Sequence, residues 1–127
     1  MKFIFCILLP LFFIQKPIAG LHIKGEKYYY FCTSWSMKPD EGKGKQYILY
    51  ADIKEITCEE SYFMTLAHQW GDLVNSNCKN SDGCTSDVNS YHTLQEATNR
   101  FSKFKEKYND TSRFIISKLD FPTLLSK

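Results

Sequence analysis

His68 and Asp72 stand four residues apart in a stretch with helical periodicity, a spacing that brings both side chains to one helix face. A carboxylate there would orient an imidazole. With His92, just ahead of a second helical stretch, the three would make a small metal or acid–base site. This is the case for a small metal-dependent or hydrolytic enzyme using His68, Asp72 and His92. The plainer alternative is a solvent-facing pair and a loop histidine, and the rest of the chain favours it. There is no hydrolase elbow, no H-E-x-x-H, no glycine-rich phosphate loop and no C-x-x-C. The expectation therefore leans away from an enzyme, with no catalytic residue, metal or cofactor assigned.

Cysteine chemistry is the second candidate. Beyond Cys6 the chain carries Cys32, Cys58, Cys78 and Cys84. Structural zinc sites bring their ligands in close pairs, and here even Cys78 and Cys84 have five residues between them. An even number in an exported chain predicts two disulfides instead. Cys58 and Cys78 flank one helical stretch, roughly 30 Å apart at 1.5 Å per residue, too far for a bond. Two pairings stay open: Cys32–Cys58 with Cys78–Cys84, or Cys32–Cys78 with Cys58–Cys84.

Export is read from the first 20 residues. Lys2 gives a short positive start, Phe3 to Ile14 form an uncharged apolar run, and Ala19 and Gly20 offer a cleavage site before Leu21. The run is shorter than the roughly 20 apolar residues of a membrane span. The expectation is a cleaved signal peptide over 1–20 and one secreted or periplasmic domain over 21–127, with no membrane association afterwards. The whole chain has 16 Lys+Arg and 14 Asp+Glu. Lys2 and Lys16 would leave with the signal and no acidic residue would, so the remainder is formally neutral. Nucleic acid then loses its main electrostatic argument. The densest basic run, Lys103, Lys105 and Lys107, reads as a solvated helix face.

Positioning these residues requires a fold. Residues 26–36 and 46–56 have strand composition and alternation, and 37–45, with Pro39, Gly42 and Gly44, reads as a hairpin loop between them. Phe63, Leu66, Ala67, Trp70, Leu73 and Val74 recur at helical spacing, introduced by a capping box at Thr57 and Glu60. Residues 78–92 read as a polar loop. A second capping box, Thr93 with Glu96, opens a helix with the stripe Leu94, Ala97, Phe101, Phe104 and Tyr108. A last strand over 113–121 ends at Pro122, after a turn carrying the glycosylation sequon Asn109-Asp110-Thr111. The expected architecture is an α+β sandwich of order β-β-α-α-β. Its antiparallel or mixed sheet carries both helices on one face.

In that architecture a hairpin centred on Glu41 pairs Phe31 with Ala51 and Tyr29 with Ile53. Tyr29, Phe31, Trp35, Tyr47, Leu49 and Ile53 would then lie under the helices. Tyr28, Tyr30, Tyr50, Asp52 and Lys54 would form an open face on which tyrosine rings stack against a sugar or anchor a protein. A one-residue slip would reverse the faces of a strand. The resulting expectation is a small, exported, disulfide-bonded binding module whose partner is a protein or carbohydrate. An inhibitor or effector acting through loop 37–45 is a further alternative.

Overall fold

The computed structural model describes residues 25–39, 44–78 and 83–121. The expected signal peptide and residues 40–43 of the hairpin loop lie outside them. Four strands and two helices follow in the order β1 (Glu26–Trp35), β2 (Gln46–Cys58), α1 (Tyr62–Asn77), β3 (Asp87–Tyr91), α2 (Leu94–Lys107) and β4 (Phe114–Lys118). The class is α+β. The strands lie in the order β3-β1-β2-β4, with β1 antiparallel to β2 and β3, and β4 parallel to β2.

The expected order lacked β3, which lies in the stretch read as a polar loop. It pairs with β1 from Thr33↔Asp87 to Tyr29↔Tyr91. This strand decides where the helices go. The path β2–α1–β3 carries the chain across the sheet one way, and β3–α2–β4 carries it back. Crossovers of one hand that travel in opposite directions must use opposite faces of the sheet.

The side chains show that arrangement, which corrects the expectation of both helices on one face. Tyr28, Tyr30 and Cys32 of β1 pack with Leu66, Trp70 and Val74 of α1. Phe31, pointing the other way, meets Phe101 and Phe104 of α2 with ring centroids 5.0 and 6.4 Å away. Successive residues of a strand face opposite sides, so the sheet has a helix on each.

The hairpin register also differs from the expected one. Tyr28 pairs with Ile56 and Tyr30 with Lys54, but Cys32 pairs with Ala51. Asp52 and Ile53 together stand opposite Phe31, a bulge that inserts one extra residue into β2. The α1 side of β2 therefore switches from Leu49 and Ala51 to Ile56 and Cys58, all of which are buried. A simple alternation through Ile53 cannot describe this strand.

Helix α1 has no capping box at Thr57, because β2 runs on through Cys58. Burying Ile56 and Cys58 beneath α1 outweighs the local helix-start signal. The helix opens instead on a tight turn, with the N–H groups of Tyr62, Phe63 and Met64 donating to the carbonyls of Glu59, Glu60 and Ser61. At α2 the Thr93 hydroxyl accepts from the Glu96 N–H at 3.1 Å, as its spacing predicts. Beyond β4, Phe121 tucks under α1 with its ring 5.5 Å from Trp70.

Candidate functional site

The expected tyrosine face is not open. Tyr30 is 1% exposed and Tyr28 7%, both within the α1 core, with the Phe63 ring 6.1 and 5.0 Å away. Tyr50 faces the other side, against Phe101 and Phe104, with the Lys105 ammonium 5.0 Å from its ring centroid. Asp52 is ion-paired with Lys118 at 3.1 Å. Lys54 donates to the Phe121 carbonyl. The five residues thus divide between two faces and their own contacts, and no common surface joins them.

The histidine constellation is not assembled either. His68 and Asp72 are both exposed on α1. His92 is 3.6 Å from the Glu26 carboxylate and leans on the Tyr28 ring at 4.9 Å. Among the described residues no three His, Cys, Asp or Glu side chains gather as a metal site.

Cys78 and Cys84 form a disulfide, while Cys32 and Cys58 are buried free thiols. This corrects the expectation of two disulfides. The register explains it: Cys58 lies opposite Glu26, six residues along β1 from Cys32, or about 20 Å at strand rise. Burial pushes the Cys32 thiol up to about 12, against a smaller pull from the Lys54 ammonium, and burial raises the Cys58 thiol as well. Neither is an activated nucleophile. Peptide mapping after alkylation without reductant should find both unmodified in the native protein and both modified in denaturant. The Cys78–Cys84 pair should label only after reduction. Labelling of Cys32 in the native state would contradict the packing.

What the sequence did not reveal is a groove on the α2 side of the sheet. The α2 stripe of Ala97, Phe101, Phe104 and Tyr108 covers Phe31 and Tyr50 and stops short of the sheet's lower end. There, an open groove of about 690 Å³ is left between α2, β3 and the starts of β2 and β4. Its aromatic lining includes Phe31, Trp35, Tyr91, Phe104, Tyr108 and Phe114. Its polar sheet lining is Thr33, Gln46, Asp87 and Asn89, and its cations are Arg100, Lys103, Lys107 and Arg113.

Helix geometry explains the cations. At about 100° per residue, Arg100, Lys103 and Lys107 fall on one flank of the apolar stripe and Lys105 on the other. Lys105 accordingly lies over Tyr50 and Phe101. The fourth cation comes from the turn after α2. There Asp110 Oδ1 accepts from the Ser112 N–H and hydroxyl at 2.9 and 2.5 Å, which hold its carboxyl below the usual range. The Asp110 carbonyl accepts from the N–H groups of Arg113 and Phe114, which fixes Arg113 at the groove's end.

Two cations rest on rings, Lys107 5.3 Å from the Tyr108 centroid and Arg113 5.1 Å from Phe114. Burial raises the Tyr91 phenol above its usual range, with the Arg100 guanidinium pulling it back. The polar floor is also held. Gln46 Nε2 donates to the Ser36 carbonyl at 2.7 Å, and Asn89 Nδ2 to the Phe31 carbonyl and Thr33 hydroxyl at 3.4 and 3.3 Å. Asp87 is the one carboxylate in the groove lining.

The disulfide fits an extracellular protein. Among the described residues no helix is long and apolar enough to cross a membrane. No family model, curated protein or solved structure matches the chain.

Proposed function

We propose that the chain is an exported, non-catalytic binding module whose ligand, a protein or carbohydrate, sits in the groove beside α2. The observation that carries this reading is the local charge. Four cations and one carboxylate line a groove that also offers aromatic surface, in a chain whose overall charge is close to balanced. An asymmetry of that kind selects a ligand by position and sign, whereas a general positive charge would attract any polyanion. The aromatic rings add contact area that excludes water from the charged contacts.

Charge reversal in the groove tests this. The chain should be retained on resins carrying heparin or polyglutamate at low salt and released as salt rises, since exposed charge contacts are screened. K103E/K107E should lose retention. A reversal of equal charge away from the groove, K27E/K118E, should keep most of it. Equal loss in both variants, or no retention of the parent chain, would contradict a groove site.

A further inference from the structure

We infer that the groove takes an acidic sugar: a short glycan chain carrying carboxylate or sulfate groups. This rests on the groove being the binding site, and it narrows the ligand to one chemistry. Three features of the lining have to be satisfied together, and different ligand classes satisfy different subsets of them.

The first feature is the cationic row. Arg100, Lys103 and Lys107 follow one another by three and four residues, so their Cα positions rise about 4.5 and 6 Å along α2, and Arg113 extends the row past the helix end. Such a row matches a linear ligand with acid groups spaced along it. The second is ring surface: Trp35 is half-buried and lines the groove, and Tyr108 beside it carries the Lys107 ammonium on its ring. A pyranose presents a C–H face to such rings. The third is the sheet floor. Asp87 brings a carboxylate that only accepts, beside Gln46 and Asn89, whose amide nitrogens already donate to the protein's own acceptors.

An acidic peptide meets the cations but sets its carboxylates against Asp87 and brings few side-chain donors to it. A single-stranded nucleic acid meets the cations and the rings, yet its phosphates also face Asp87. Sugar hydroxyls donate to Asp87, while the acid groups of the same chain meet the cations. The carboxylate, a liability toward any other polyanion, becomes a contact.

Asp87 therefore provides the test, because its neutralisation has opposite signs for the competing ligands. Binding is followed by calorimetry with a heparin hexasaccharide, trigalacturonate, neutral maltohexaose, hexaglutamate and a dT hexanucleotide. At least one acidic sugar should bind about tenfold or more tighter than the other three probes. K103E/K107E should weaken it by about tenfold or more in a protein that still unfolds cooperatively. D87N should weaken the acidic sugar but leave hexaglutamate and the oligonucleotide equal or stronger. The two acidic sugars separate sulfate from carboxylate as the favoured group. If hexaglutamate or the oligonucleotide binds tightest and D87N strengthens it, the sugar assignment is overturned while the groove site stands. If no probe binds, or K103E/K107E changes nothing, both fall together.

Discussion

Replacing Trp70 with alanine is expected to lower stability by about 3–5 kcal/mol, a large part of the roughly 5–15 kcal/mol that holds a domain of this size folded. Trp70 is 0% exposed, lies at the centre of the α1 face and packs its indole against the tilted ring of Phe121. Its Nε1 donates to the Thr33 carbonyl at 2.9 Å, joining α1 to the sheet through a buried hydrogen bond. Alanine would leave a cavity and remove that hydrogen bond together. Trp70→Phe keeps most of the volume and should cost less, about 1 kcal/mol for the lost hydrogen bond. Urea unfolding of the two variants measures both. If Trp70→Ala shifts the midpoint no more than an ordinary surface substitution, α1 does not pack as described.

The second large effect separates the buried tyrosines from the half-buried one. Tyr30→Ala should cost about 3–5 kcal/mol, since a fully buried ring leaves a cavity. Tyr50→Ala should cost only about 1–2 kcal/mol, within the usual range for point substitutions, because its ring is half-buried beside Phe101 and Phe104. Under an open tyrosine face the two would behave alike and cost little. Thermal or urea unfolding of the pair decides between the arrangements without knowledge of any ligand.

The helices and three of the four strands were legible in the sequence because each carries a strong period. Leu66, Trp70 and Val74 mark the inner face of α1, and Ala97, Phe101 and Phe104 that of α2. Strand β3 was not legible. Its sequence, Asp-Val-Asn-Ser-Tyr, has one aliphatic side chain in a polar, turn-rich stretch, and it is held at the sheet edge by pairing with β1. Missing it removed the element that sends α1 and α2 to opposite faces, and so misplaced the tyrosines. The bulge at Asp52 and Ile53 was equally hidden, because the extra residue is revealed only by its partner strand.

The groove was legible in part. Lys103, Lys105 and Lys107 look like one basic run when read along the chain, whereas the helical period separates Lys105 and brings Arg100 to the other two. The position of Arg113 beside them depends on the turn at Asp110 and on β4 returning alongside β2. No spacing rule joins residues across that distance. The polar floor from Gln46, Asp87 and Asn89 likewise exists only once β3 has paired with β1.

The chain has two tryptophans, and their environments are opposite: Trp35 at the cationic groove and Trp70 sealed beneath α1. Collisional quenching of their emission at low ionic strength by iodide and by caesium reads both at once. Iodide should quench a single accessible component, which disappears in Trp35→Phe. Its advantage over caesium should shrink in K103E/K107E, because an anion is concentrated at a positive wall and a cation repelled from it. Should Trp35 resist both ions, or should charge reversal leave their ratio unchanged, the open cationic groove on which the proposed function rests is contradicted.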